Sequence, residues 1–477
     1  MKNTLLFAAG SMFCTSSILA REMPNIVLIV ADDMRGATMS FLGKEAIKTP
    51  VLDRFSDDCT VFTNAHIMGG TSGAVSMPSR AMLMTGKYLY NLEKNGATIP
   101  QEHVLIGEVL NQAGYRTFHT GKWHNGKEAF NRCFRSGKDI FFGGMADHWN
   151  VPLFGYDPTG IYEDKRRMIR NPGVNNVVET LGGEYAYSGK HSVDIFTETA
   201  VAFINGQKEK KEPFFLSLCY MSPHDPRSMP DEFLQLYDTA EIALPPNYME
   251  KHPFDNGELL IRDEALAAIP RVKLEVQKHI AEYYAMISHL DKRIGDVLDA
   301  LKANGLYENT IVIFTADNGL AVGQHGLMGK QNLYEHSVHV PLIIKQAGAT
   351  NKKQYAGQLC YLIDLFPTVC EWSGQPVPAS VDGISLLPII RENKPVRDYL
   401  YYGYRDFQRA VSDGMWKLIK YNVKGEKTIQ LFNLEHDPYE KNDLSNDRKH
   451  KKRINTLNEQ LHLKRIATND QSVFWDL

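Results

Sequence analysis

The sequence predicts an α/β fold, a large sheet buried between helices with a small C-terminal subdomain, and three observations carry that prediction. Runs such as Asn25-Ile26-Val27-Leu28-Ile29-Val30-Ala31 and Ile311 to Ala316 are apolar without alternation, as strands covered on both faces are. Between such runs lie segments with apolar residues at helical spacing, the longest from Lys273 to Ala303. Beyond Leu387 the strand-like pieces shorten and turns intervene, as in an antiparallel sheet. At 477 residues, 43% hydrophobic and 23% charged, the chain can build an ample core. The expected division is a leader over 1–20, a main domain over 21–390 and a C-terminal subdomain over 391–477.

The leader reads as a secretory signal cleaved after Ala20: Lys2, an apolar segment from Leu5 to Phe13, then Ser-rich residues ending at Ile18-Leu19-Ala20. Met12-Phe13 before Cys14 fits a lipid-acceptor site poorly, so a soluble, exported, periplasmic protein is expected over a surface lipoprotein. Basic and acidic residues number 53 and 56, so global charge points to neither nucleic acid nor a membrane surface, and no integral membrane segment is expected after signal cleavage. Cys59, Cys133, Cys219, Cys360 and Cys370 lack metal-type spacing and read as small buried hydrophobes, with at most one disulfide.

In chain order, Asn25–Ala31 is a buried strand ending in Asp32-Asp33, and Thr49-Pro50 starts a helix. Glu102 to Ala113 reads as a helix closed by Gly114. Tyr115 to His119 reads as a strand delivering Lys122 and His124 beyond its end. Asn125 to Gly189 shows little periodicity and reads as insertions over the sheet edge, with Lys165 to Arg170 a solvated basic loop or a grip for an acidic sugar. Ser192 to Ile204 is a helix, and Pro213 to Tyr220 a strand running into His224 and Arg227. On the helix from Lys273 to Ala303, His289 and Asp291 read as packing and capping groups. Ile311 to Ala316 ends in Asp317-Asn318, the loop beyond carries His325 and Lys330, and Pro341 to Ile344 is a further strand. Strands near Tyr399–Tyr404, Arg409–Val411, Trp416–Tyr421 and Thr428–Phe432, a hairpin at Asp413-Gly414 and a helix near Ile454–Leu463 complete the subdomain.

The stretch from Thr71 to Arg80, followed by Thr85-Gly86, organises the rest. Pro78 and Ser79 suit a first helical turn, so Ser76 sits at a helix N-terminus, where free N–H groups and Arg80 favour an anion. An N-capped surface helix fits the same five residues. The strand ends decide between the two. Adjacent Asp32 and Asp33 would repel each other without a cation, and with Asp317 and Asn318 they form an oxygen donor set suited to calcium, or magnesium, over zinc. Ser76, Arg80, Lys122, His124, His224, His325 and Lys330 all follow or flank predicted strand ends, where open α/β sheets bind ligands.

These motifs in order resemble the type I, formylglycine-dependent sulfatases of the alkaline phosphatase superfamily: Asp32-Asp33, Ser76 to Arg80 with Thr85-Gly86, Gly121 to His124, Pro223-His224, Asp317 to Gly319, and His325-Gly326 with Gly329-Lys330. The resemblance spans Asn25 to Pro438. It implies an alkaline phosphatase-like sandwich, a large central mixed β-sheet flanked by helices, with 21–390 as the catalytic domain and a small C-terminal antiparallel sheet and helix. It implies that a maturase converts Ser76 to formylglycine, and that Asp32, Asp33, Asp317, Asn318 and residue 76 hold one divalent cation, Ca2+ or Mg2+. Serine where many relatives carry cysteine suggests a bacterial maturase that accepts serine, or an engineered, inactive replacement.

The chemistry explains the modification. A sulfated serine has no internal means of release, whereas a hydrated aldehyde attacks sulfur with one hydroxyl and, on deprotonation of the other, expels sulfate. The resemblance implies that Arg80 and Lys122 stabilise this nucleophile and that Lys122 and Lys330 neutralise sulfate. It implies His224 as the acid, with His325 the alternative, and His124 as the base. Bacterial uronate 2-O-sulfatases acting on heparin or chondroitin oligosaccharides are similar, with Arg227 a candidate carboxylate contact beside Lys122, His224 and Lys330. Sulfatase action at O-6 or O-4 of a hexosamine, a phosphoesterase of the same superfamily, and a non-catalytic binder of sulfated glycans with Ser76 unconverted are the alternatives.

Overall fold

The computed structural model describes residues 23–169, 171, 173–348, 353–472 and 474. The leader expected over 1–20, with Cys14 in it, and Arg170 lie outside the described residues. Among the described residues eight strands form the main sheet: β1 (Asn25–Ala31), β2 (Thr60–Phe62), β3 (Arg116–Lys122), β4 (Ser136–Phe141), β5 (Phe214–Cys219), β6 (Thr310–Ala316), β7 (Leu342–Lys345) and β8 (Gln354–Ala356). Their spatial order is β8-β2-β7-β6-β1-β5-β3-β4, and the sheet is mixed because β7 runs against both its neighbours. β6, β1, β5 and β3 lie side by side and parallel, so their C-terminal ends open at one rim.

β1, β5 and β6 are buried at every residue, which is why their sequences do not alternate. Each fully buried Val, Ile or Leu contributes on the order of 1.5–3 kcal/mol, so this centre anchors the rim groups rigidly. The longer helices among the described residues are α1 (Pro50–Ser56), α2 (Ser76–Thr85), α3 (Ile106–Gln112), α4 (Lys127–Cys133), α5 (Ser192–Asn205), α6 (Lys273–Ala303), α7 (Leu365–Trp372) and α8 (Lys451–Ala467). α6 packs on α1 and α5, and α2 packs with α3 and α7. Asp291 on α6 accepts hydrogen bonds from the Val51 and Leu52 N–H groups at 2.9 and 2.7 Å, capping α1 from outside its own chain segment. His289 packs on Phe233 and pairs with Asp194 at 3.1 Å.

The C-terminal subdomain carries β9 (Leu400–Tyr404), β10 (Gln408–Ser412), β11 (Trp416–Val423) and β12 (Glu426–Asn433), paired antiparallel, with α8 against them. A fifth member joins from far upstream: Gly69-Gly70 pairs parallel with β9. Gly69 sits at φ +93°, and a Cβ there would lie 2.3 Å from the Gly403 carbonyl oxygen, so only glycine allows this junction seven residues before Ser76.

Several sequence expectations shift. The helix expected from Glu102 begins at Ile106, because the Glu108 carboxylate accepts the Leu105 N–H at 2.8 Å and fixes the start there. β3 runs on to Lys122 instead of ending at His119. The stretch read as insertions contains α4 and the sheet strand β4, and Arg166–Ile169 pairs with Val178–Leu181 in an exposed hairpin instead of forming a loop. All five described cysteines are free and buried. No helix among the described residues is long and apolar enough to cross a membrane.

Candidate active site

The tips of β1 and β6 and the start of α2 converge. Carboxylate oxygens of Asp32, Asp33 and Asp317 lie within 4.8 Å of one another, all buried. Ser76 Oγ lies 3.1 Å from both Asp32 Oδ1 and Asn318 Oδ1, and its single proton can serve only one of them at a time. Asn318 Nδ2 donates to Asp33 Oδ1 at 2.8 Å. Asp33 holds φ +67°, a left-handed backbone that a non-glycine residue adopts at a cost, and it turns the carboxylate into the cluster.

Cations surround this cluster. Lys122 Nζ donates to Asp32 at 2.5 Å and Lys330 Nζ to Asp33 at 2.5 Å, with Ser76 Oγ 3.5 Å from Lys330 Nζ. Arg80 Nε donates to Asp317 at 2.8 Å and its Nη1 to the Lys122 carbonyl at 3.0 Å, while its buried Nη2 has no hydrogen-bond partner. Burial would lower the Lys330 pKa, but Asp33, Asp263, Asp32 and Asp317 outweigh it and keep the ammonium charged. For Lys122 burial prevails over Asp32 and lowers the pKa.

His224 Nε2 stands 3.8 Å from Asp33 Oδ2, and its Nδ1 faces the Asp225 carbonyl at 2.7 Å. His124, at φ +76°, is half-buried, with its Nδ1 shielded from solvent and unpartnered; desolvation first, then Lys122 and Arg80, hold its pKa well below the ordinary value, so the ring is neutral and able to accept a proton. Arg227 contacts His279 Nδ1 through Nη1 at 2.8 Å, leaving buried Nε and Nη2 without partners. His325 is placed differently. Its ring stacks on Tyr334 at 3.9 Å, burial and His252 lower its pKa to about 3, and no hydrogen bond or ion pair among the described residues joins it to the carboxylate cluster. Lys165 pairs with Glu184, and Arg166 and Arg167 lie on the exposed hairpin.

The sequence reading missed the groups behind this layer. His148 is buried and hydrogen-bonded through Nε2 to the His224 carbonyl at 2.9 Å. Arg262 pairs with Asp225 through both Nη atoms. Gln331 Oε1 accepts the Lys330 N–H, and its Nε2 donates to the Gly73 carbonyl and to Asp263. None of these carries a sequence signal, since each depends on a partner remote in the chain.

An all-oxygen donor set of three carboxylates, a carboxamide and a hydroxyl fits a hard divalent cation, and the ammonium groups pressed against Asp32 and Asp33 show that the cluster demands positive charge. An N-terminal helix turn whose Arg80 guanidinium keeps one N–H-bearing nitrogen, Nη2, free of hydrogen bonds and 3.9 Å from Asp32, with two ammonium groups on the same carboxylate cluster, is built to handle an oxyanion ester. The sulfatase family's sequence profile matches residues 24–375, and that of the C-terminal region of N-sulphoglucosamine sulphohydrolase matches 323–467. The chain belongs to the sulfatase family and is a sulfuric ester hydrolase. An N-acetylglucosamine-6-O-sulfatase of Bacteroides thetaiotaomicron is 25% identical, the match covering 89% of this chain and 83% of that protein. An arylsulfatase of Clostridium perfringens is 28% identical over 91% of this chain and 92% of its own. A solved structure of a protein with its substrate D-glucosamine-2-N,6-O-disulfate shares the fold, with TM-score 0.75, 22% identity and coverage of 94% and 99%.

Proposed function

We propose that this enzyme is exported to the periplasm and removes sulfate from glycosaminoglycan saccharides through residue 76, after a maturase has converted the serine to formylglycine. Asp32, Asp33, Asp317, Asn318 and the residue-76 hydroxyl would hold one divalent cation, calcium by its donor set. When bound, that cation supplies positive charge that acidifies the hydroxyl and offsets sulfate charge. The observation that carries the reading is the convergence on Ser76 Oγ of Asp32 and Asn318 at 3.1 Å and Lys330 at 3.5 Å.

One hydroxyl of the hydrated residue 76, its proton released to solvent, forms a bond to sulfur as the sulfur bond to the sugar oxygen breaks. Arg80 and Lys122 stabilise the attacking oxygen, and Lys122 and Lys330 neutralise sulfate oxygens. His224 gives the departing sugar oxygen its proton. His124 takes the proton of the second hydroxyl, the carbon–oxygen bond to sulfate breaks, and the aldehyde returns. His224 serves as acid in preference to His325 because it faces the cluster while His325 is packed on Tyr334.

Arg227, three residues beyond His224 in the chain, keeps buried Nε and Nη2 without hydrogen-bond partners, which suits a second anionic substituent on the substrate. In the uronate 2-O-sulfate reading that substituent is the sugar carboxylate. The hexosamine 6-O reading is supported by the N-acetylglucosamine-6-O-sulfatase relative and by the neighbour bound to a disulfated glucosamine, where it is a second sulfate. Matured protein incubated with disaccharides differing only in sulfate position separates them. Loss from the uronate 2-position supports the first, and loss from the hexosamine 6-position the second. Loss of phosphate from a phosphoester in preference to either would sink both.

A further inference from the structure

Lys330 ends a loop, Gly326 to Lys330, that leaves the rim without regular structure, yet its ammonium must stay within reach of residue 76 and Asp33. The loop is held from outside. Glu264 is buried, its Oε2 accepting the Met328 N–H at 2.8 Å and its Oε1 the Gly329 N–H at 2.9 Å. Arg271, equally buried, pairs with Glu264 and donates through Nε to the Gly326 carbonyl at 2.9 Å and through Nη1 to the Glu264 and Ala267 carbonyls at 2.8 Å each. Two consecutive backbone N–H groups immediately before Lys330 thus meet one carboxylate, and the carbonyl at the loop's start meets that carboxylate's own counterion.

We infer that Glu264 is a positioning residue for this reaction, fixing the Lys330 ammonium against residue 76 by clamping the two peptide groups that precede it. The inference rests on the reading of Lys330 as a sulfate-neutralising group. A carboxylate is required because both of its oxygens accept: an amide in its place turns an NH2 toward one of the two N–H groups. Buried partners of this kind move activity because the side chain they hold must sit within about 0.5 Å of its working position.

The test is a set of double-mutant cycles on matured protein, following kcat and KM for sulfate release. Glu264→Gln is expected to lower kcat roughly 10- to 100-fold with a smaller change in KM. Placed on Lys330→Ala, it is expected to add little, since the ammonium it positions is gone. Placed on His224→Ala, it is expected to multiply in full, showing that the rest of the site is intact. Losses that multiply with Lys330→Ala, or that fail to multiply with His224→Ala, overturn the inference. Arg271→Lys, which keeps the charge and shortens the reach to Gly326, is expected to give the same pattern more weakly and serves if Glu264→Gln does not fold. Absence of sulfate release from the matured wild type would instead overturn the functional reading itself.

Discussion

Arg80 Nε lies 2.8 Å from Asp317 Oδ2, joining the helix that begins at Ser76 to a strand tip 237 residues further along the chain. The same guanidinium holds the Lys122 carbonyl, so one side chain locks α2, β3 and β6 at the rim. Arg80→Lys keeps the charge but loses the planar fork, and kcat/KM for sulfate release is expected to fall by about 100-fold or more. Arg80→Ala leaves Asp317 buried without its partner and is expected to cost about 3–5 kcal/mol of stability, read from denaturant midpoints.

The carboxylate cluster predicts linkage between cation and fold. Calcium at about 100 times its dissociation constant is expected to stabilise the protein by about 2.7 kcal/mol, read as a rise in melting temperature. Asp32→Asn and Asp317→Asn are expected to abolish that rise. A rise that survives both substitutions would place the cation elsewhere.

His224 as the acid predicts dependence on the leaving group. His224→Ala is expected to lose about 100- to 10,000-fold on a sugar sulfate, whose alkoxide needs a proton, and far less on an aryl sulfate that leaves as a stable anion. Equal losses on both substrates would remove His224 from this role.

Burial and the Lys122 and Arg80 cations hold His124 neutral well below its ordinary range. A base whose pKa is lowered stays competent as pH falls through 6.5, so kcat is expected to hold across that value and drop only at more acidic pH. A rate that already halves near pH 6.5 would assign the base to another group.

The rim was legible because its parts obey local rules. Unbroken apolar runs mark β1, β5 and β6, and the polar residues at their ends, Asp32-Asp33, His224 and Asp317-Asn318, fall where parallel strands point. α6 was readable to its full length from its apolar stripe. β4 was not, since Ser136-Gly137-Lys138-Asp139 carries no strand pattern and pairs only because β3 extends beside it. His325 shares its sequence setting with Lys330, and only packing on Tyr334 separates the two. The Glu264 and Arg271 pair, seven residues apart in an aperiodic stretch, reads in sequence like any solvated ion pair, and its meaning lies in the loop it grips.

The central claim is that residue 76, once converted, performs the sulfate transfer. Preparations with graded conversion at residue 76, measured by peptide mass, and a Ser76→Ala variant would be assayed for sulfate release from a sulfated disaccharide. Release is expected in proportion to the converted fraction, with none from Ser76→Ala. Release at full rate from protein that retains an unmodified serine, or from Ser76→Ala, would contradict that claim.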